Sequence, residues 1–132
     1  MRRKFLQNKL WRDNAVAMME QSSGSVIHWR RLDDIEYDEH IRIKIVEEVE
    51  EIVAAKTQDA LKAEIADVYE GLDALMKLHS ITKEDVHGIQ MRKCIECGGF
   101  DGRVFVEVAE HPIGSYGEKH CPADPLKCKQ RI

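Results

Sequence analysis

The sequence lacks a long apolar stretch, an excess of basic charge, an internal repeat and a low-complexity linker. No segment approaches the roughly 20 apolar residues that a membrane span needs, and none follows the basic start Met1-Arg2-Arg3-Lys4. We therefore expect no membrane anchor, no signal peptide and a cytoplasmic location. The net charge of −4 argues against stable nucleic-acid binding, because such proteins normally carry a basic field.

We expect one globular domain, residues 1–109, followed by an irregular tail, residues 110–132. The chain has 132 residues, of which 43% are hydrophobic, and this is enough for one domain with its own core. All three prolines lie in the last stretch, where Gly114 and Gly117 also occur. This change of composition favours an irregular segment over a second folded unit.

Helical periodicity predicts a mainly α fold. The predicted helices are residues 4–21, 38–56, 59–79 and 82–97. Asp85 lies three residues after Thr82, as in a capping box, and the pair Gly98-Gly99 favours a left-handed helix end. Two segments rich in β-branched residues, 26–32 and 103–108, predict a small two-stranded β element. The link at residues 57–59 is so short that the two long helices must form an antiparallel hairpin.

Acidic residues lie beside the apolar stripes of these two long helices. Successive residues of a helix are about 100° apart, so Glu48 and Glu51 share a face at the edge of the first stripe. In the second helix Glu64 lies within the buried stripe, and Asp67 lies at its margin. An ionised carboxylate in an apolar interior is costly unless it is paired or bound to a cation.

The hairpin is expected to bring these four carboxylates together, where they repel one another unless a cation neutralises them. Hard oxygen donors suit Mg²⁺, or alternatively Mn²⁺, rather than zinc or copper, and Mg²⁺ favours partners that include substrate phosphates. The pattern therefore favours phosphate chemistry. The other interpretation, a solvated charged face, fits Glu50, Glu70 and Asp73, and it stays open for Glu47.

The acids also form an ordered motif with two flanking segments. The motif is Glu47-Glu48-x-x-Glu51, twelve residues, then Glu64-x-x-Asp67. Residues 8–13 read Asn-Lys-Leu-Trp-Arg-Asp, and Lys93 precedes Gly-Gly-Phe at 98–100 and Arg-Val-Phe at 103–105. Together these segments resemble the MazG-like all-α NTP pyrophosphatases, which include phosphoribosyl-ATP pyrophosphatase and the dimeric dUTPases. The closest resemblance is to the phosphoribosyl-ATP pyrophosphatase-like branch that opens with Leu-Val-Arg-Asp-Lys-Ile-Pro.

The resemblance implies a Mg²⁺-dependent pyrophosphohydrolase that cleaves the α–β phosphoanhydride of a nucleotide and releases pyrophosphate and a nucleoside monophosphate. It implies that Glu47 or Glu48 orients or deprotonates the attacking water. The implied metal ligands are Glu48, Glu51, Glu64 and Asp67.

Further implications concern the substrate and the assembly. The candidates for phosphate contacts, each with a plain surface charge as its alternative, are Lys9, Arg12, Lys44 and Lys93. Trp11 and Trp29 either stack on a base or belong to a core or an interface, and the second is the preferred interpretation. Family members complete a four-helix bundle by association, so a homodimer or a higher homo-oligomer is expected.

The chain departs from that branch at basic positions. Asn14 stands where the branch usually has lysine, and Cys97 stands where it has arginine. Residues 15–16, Ala-Val, replace its Ile-Pro. A non-catalytic nucleotide-binding regulator that kept the fold is therefore the second hypothesis.

The four cysteines allow a third hypothesis. Without an oxidising compartment they are read as thiols or metal ligands rather than disulfides. Cys94-x-x-Cys97-Gly98 has the shape of a zinc knuckle, and Cys121 and Cys128 would complete four ligands of a zinc-stabilised interaction module. Six residues separate that second pair, which is wide for a knuckle, so free cysteines are preferred over a structural zinc site or a redox-labile pair.

Overall fold

A computed structural model describes residues 1–120 and shows a helical chain. The helices are α1 (Ala15–Ser23), α2 (Asp34–Ala54), α3 (Gln58–Leu78), α4 (Lys83–Cys97) and α5 (Tyr116–His120). The mainly α prediction is confirmed. None of these helices is both long and apolar enough to cross a membrane.

The hairpin of α2 and α3 is the packed part of the fold, and both of its helices begin at a side-chain cap. The Asp33 carboxylate accepts a hydrogen bond from the backbone N–H of Glu36 at 2.8 Å. At the start of α3, Thr57 Oγ1 accepts from the backbone N–H of Ala60 at 3.1 Å. These bonds satisfy donors that the first turn of a helix leaves free, so the two helices start at defined positions.

The two helices of the hairpin approach most closely at Gly71. A Cβ atom at this position would lie 2.7 Å from Cγ1 of Ile45. Nearby, Ile41 is only 6% exposed and is the one apolar side chain of residues 1–120 that counts as buried. The hairpin therefore packs backbone against side chain at Gly71 and buries little apolar surface of its own.

The fourth helix has the ends that its sequence predicts. Thr82 Oγ1 accepts from the backbone N–H of Asp85, and the Asp85 carboxylate accepts from the backbone N–H of Thr82, both at 3.1 Å. Gly98 has a φ of 82° and donates its N–H to the Cys94 carbonyl at 2.8 Å. The capping box and the left-handed end are therefore both present.

The predicted N-terminal helix is largely wrong, because α1 begins only at Ala15. Asn8 has a φ of 47°, which a right-handed helix does not allow, and Phe5 and Leu6 are 75% and 87% exposed. Apolar side chains that stay exposed do not offset the entropy of ordering the chain. Residues 1–13 instead form an irregular segment.

The predicted β element is absent from the described residues. Segments 26–32 and 103–108 are irregular, and Val104 and Phe105 are about as exposed as free side chains, at 85% and 86%. A strand exists through hydrogen bonds to a partner strand. Neither segment has such a partner within residues 1–120, so β-branched composition alone did not produce a sheet.

The chain divides into two compact units, residues 1–92 and 93–132. The second unit contains α5, where the rings of Tyr116 and His120 stack with centroids 3.7 Å apart. The start of the tail that we expected to be irregular therefore contains one short helix. The division into a domain of residues 1–109 and a tail stays a prediction.

Candidate metal and phosphate site

Three of the predicted metal ligands converge within the α2–α3 hairpin. Glu48 and Glu51 lie one turn apart on α2, and Glu64 faces them from α3. One carboxylate oxygen from each of the three lies within 4.8 Å of the others. This juxtaposition follows from the antiparallel hairpin, which places the carboxyl-terminal half of α2 beside the amino-terminal half of α3.

Two oxygens of this cluster are buried without a partner. Glu48 as a residue is 7% exposed, and its Oε2 atom has no hydrogen-bond partner. The same is true of Oε2 of the half-buried Glu64. A buried carboxylate oxygen without a partner costs free energy unless a proton or a cation compensates it.

The proximity of the other two carboxylates makes Glu64 a weaker acid. The pKa of Glu64 rises to about 7, chiefly because a protonated Glu64 hydrogen-bonds to the Glu51 carboxyl, with loss of hydration and the proximity of Glu48 as further causes. The cluster therefore has affinity for one positive charge, either a proton or a metal ion.

The donor set fits a hard divalent cation. It consists of carboxylate oxygens alone, without sulfur or imidazole, and such donors suit Mg²⁺ or Mn²⁺. Glu48, Glu51 and Glu64 are the residues that would hold the ion. The partnerless oxygens of Glu48 and Glu64 are the observation on which this fit depends.

Asp67, the fourth predicted ligand, makes a different contact. Its Oδ1 atom accepts a hydrogen bond from Nη2 of Arg12 at 2.6 Å. This bond raises the pKa of the Arg12 guanidinium. Asp67 is not part of the convergent group of three, so its role as a ligand stays a prediction, and in this structure it anchors Arg12.

Two further predicted phosphate contacts lie beside the carboxylates. Lys44 Nζ is 3.3 Å from Glu48 Oε1 and 3.5 Å from Glu47 Oε2, while Lys9 Nζ is 3.2 Å from Glu47 Oε1. Loss of hydration opposes ionisation of Glu47, but these two lysines outweigh it and hold the pKa of Glu47 below its usual value. Glu47 is therefore a stable anion between two cations, which suits positioning better than proton abstraction.

Lys93, the last predicted phosphate contact, is exposed near the end of α4 and begins the second compact unit. Its contribution to the site stays a prediction. Cys94 and Cys97 are exposed free thiols of that unit. The other two proposed zinc ligands, Cys121 and Cys128, lie outside the described residues.

A cavity of about 1110 Å³, open to solvent, is lined by Lys9 and Arg12, and the sequence predicted only part of its lining. Its walls are residues 7–13, residues 27–32 and side chains of α1 and α2. Lys9, Arg12, Trp11 and Trp29 were singled out from the sequence. The lining residues that were missed include His28, Arg30, Arg31, Tyr37 and His40. The run His-Trp-Arg-Arg at residues 28–31 mixes basic and aromatic side chains, and it was the available signal.

Comparisons with protein-family models, with curated proteins and with solved structures find no significant match. A function for this chain is therefore inferred from its own geometry and motifs.

Proposed function

We propose that the chain is a Mg²⁺-dependent nucleotide pyrophosphohydrolase that cleaves an α–β phosphoanhydride and releases pyrophosphate and a nucleoside monophosphate. The observation that carries the proposal is the convergence of Glu48, Glu51 and Glu64, with two buried oxygens that lack a partner. The order of the motifs along the chain supports the same reaction.

Each side chain has a role in this proposal. Glu48, Glu51 and Glu64 hold Mg²⁺, which when bound supplies charge neutralisation of the phosphates and acidification of a water molecule. Lys9 and Lys44 contact phosphate oxygens, because their ammonium groups already lie beside the carboxylates. Arg12 grips a phosphate through its guanidinium, which Asp67 orients. Glu48 is the better candidate to orient the attacking water, because its Oε2 atom has no partner, whereas lysines engage both oxygens of Glu47.

The proposed assembly is a homodimer or a higher homo-oligomer. Val46, Val49 and Val53 recur along one face of α2 and are 57%, 43% and 83% exposed. On α3, Leu61 and Leu72 remain 38% and 39% exposed. A second hairpin that covers these side chains would complete a four-helix bundle.

The direct test is turnover of the full chain with Mg²⁺ and a panel of ordinary, modified and biosynthetic nucleoside triphosphates. We expect pyrophosphate and the monophosphate as products, and no orthophosphate. Glu64→Gln should lower the rate at least about 100-fold, since even the loss of outer-shell partners of a metal site costs about 10–100-fold. Glu50→Gln, a substitution of an exposed acid on α2, is the matched control and should keep full activity.

Two outcomes would contradict the proposal. Nucleotide binding without pyrophosphate release from any substrate would favour the non-catalytic regulator. Full turnover by Glu64→Gln would defeat the assignment of the metal ligands.

A further inference from the structure

The cavity of about 1110 Å³ lies within the first compact unit. Most of its lining residues have no role in the reaction proposed above. Segments 7–13 and 27–32 both contribute to its lining, together with Tyr37 and His40 of α2. Small-molecule sites commonly enclose about 300–1,000 Å³. The space is therefore larger than a phosphate chain needs, and it accommodates a base and a sugar as well.

The lining of this cavity is cationic and aromatic. Lys9, Arg12, Arg30 and Arg31 contribute positive charge, against one acidic lining residue, Asp13. Three of the cations are engaged by carboxylates of the chain, Arg30 by both oxygens of Glu36 at 3.2 and 2.7 Å. Among residues 1–120, no acidic side chain pairs with Arg31.

Arg31 instead contacts an aromatic ring. Its guanidinium carbon lies 5.0 Å from the centroid of the Trp29 ring, within the range of a cation–π contact. Trp29 is 58% exposed, so most of the indole remains available to another flat group. An indole beside a free guanidinium suits a nucleobase, because the indole stacks on the ring and the guanidinium attracts its acceptors or a phosphate.

Two lining residues of the cavity, Lys9 and Arg12, connect it to acidic residues next to the candidate metal ligands. Lys9 and Arg12 line the cavity and also bind Glu47 and Asp67, one residue before Glu48 and one turn after Glu64. A ligand whose phosphates lie at Lys9 and Arg12 therefore has its remaining groups in the cavity. This placement would put the phosphates towards the carboxylates and the ring towards Trp29.

We infer that this cavity is the base-and-sugar pocket of the site and that Trp29 and Arg31 form its base clamp, so the chain takes nucleotides rather than inorganic polyphosphates. This inference rests on the proposed function only for the reaction at the phosphates. The binding preference itself stands on the lining of the cavity.

Intrinsic fluorescence tests the inference directly, because both tryptophans of the chain, Trp11 and Trp29, line the cavity. The probes are α,β-methylene analogues of the four ordinary nucleoside triphosphates, which resist cleavage, and inorganic tripolyphosphate, which has no ring. Each is titrated into the full chain with Mg²⁺. At least one analogue should quench the fluorescence and bind about tenfold more tightly than tripolyphosphate.

Variants then locate the ring. Trp29→Ala and Arg31→Ala should each weaken binding of that analogue about tenfold and leave the affinity for tripolyphosphate unchanged. Lys62→Ala removes an exposed cation of α3 outside the cavity lining and should change neither affinity. Trp29→Phe keeps an aromatic ring and should retain most of the binding. Circular dichroism of each variant would detect a loss of fold.

Equal affinities for tripolyphosphate and for every analogue would overturn the inference, as would unchanged analogue binding in both Trp29→Ala and Arg31→Ala. Failure of the proposed function looks different. If an analogue quenches the fluorescence, the variants lose this quenching and no pyrophosphate is released, the base pocket is supported and the hydrolase function is contradicted. If both variants release pyrophosphate with an unchanged KM, the hydrolase function is supported and the base clamp is contradicted.

Discussion

At the scale of single residues, Glu64 is the most informative side chain. It lies in the apolar stripe of α3, and one of its oxygens is buried without a partner. Two neighbouring carboxyls raise its pKa to about 7. An ionised side chain in this environment is costly for the fold, and carboxyls with such perturbed pKa values are frequent at functional sites.

The raised pKa makes metal-free stability depend on pH. The folded state binds the Glu64 proton more tightly than the unfolded state, whose pKa is the ordinary 4.5. Tighter proton binding by the folded state therefore adds fully to the stability below about pH 4.5, and this stabilisation is lost as the pH rises to about 7. In a metal-free buffer we expect Glu64→Gln to gain stability relative to the parent protein over that interval.

Urea unfolding of both proteins across this pH range measures the difference. Added Mg²⁺ should stabilise the parent protein at neutral pH and the variant much less, because only a ligand that prefers the folded state raises its stability. If the difference in unfolding free energy between the two proteins stays constant with pH, the raised pKa of Glu64 is contradicted.

Gly71 offers a second prediction at this scale. Alanine favours a helix over glycine by up to about 1 kcal/mol, yet a Cβ at residue 71 would lie 2.7 Å from Cγ1 of Ile45. Overpacking costs about 1–3 kcal/mol, so we expect Gly71→Ala to lower the free energy of unfolding. Thermal or urea unfolding measures the change.

Gly88, within α4, is the matched control. A Cβ there would have no atom within 4 Å, so Gly88→Ala should stabilise the protein by about 0.5–1 kcal/mol. Stabilisation by both substitutions would show that the hairpin is not tightly packed at Ile45.

At the scale of elements, both ends of α4 and the short link of the hairpin were readable from the sequence. The Asp33 cap, which starts α2 at Asp34 rather than at the predicted residue 38, was not, and neither was the structure of the isolated segments. The hairpin, the Thr82–Asp85 capping box and the Gly98 end depend on residues close together in the chain, so local chemistry decides them. The N-terminal helix and the two strands needed partners elsewhere in the fold. Without such partners, helical spacing in residues 4–13 and β-branched residues in 26–32 produced irregular backbone.

The start of α3 gives a prediction at this scale. Thr57→Ala removes the hydroxyl that accepts the Ala60 N–H and should cost about 1 kcal/mol of unfolding free energy. Thr57→Ser keeps a hydroxyl and should stay close to the parent protein. Equal stabilities of the alanine and serine variants in urea unfolding would show that the cap contributes nothing.

At the scale of the whole molecule, the apolar surface that a single chain leaves exposed matters most. Ile41 is the one buried apolar side chain of residues 1–120, while the face of α2 with Val46 and Val53 is open. Burial of apolar area is the main favourable contribution to folding. In a single chain, the exposed apolar face of α2 therefore has no partner among the described residues.

We expect light scattering to give a mass of at least twice 15.2 kDa. Val46→Lys should shift the protein towards a monomer and lower its stability together with its association, because charge on an apolar interface is costly. Val46→Ile, which keeps the apolar character, should remain associated. A monodisperse and stable 15.2 kDa parent protein would contradict the proposed assembly.

The sequence by itself determined the helical hairpin and the convergence of Glu48, Glu51 and Glu64 from its two helices. Both follow from helical periodicity and from a link of three residues, which are properties of neighbouring positions. Only the tertiary structure decided that Asp67 binds Arg12 and that segments 7–13 and 27–32 line one open cavity. Those contacts join residues far apart in the chain, and their geometry depends on how irregular segments return to the hairpin, which no local pattern specifies.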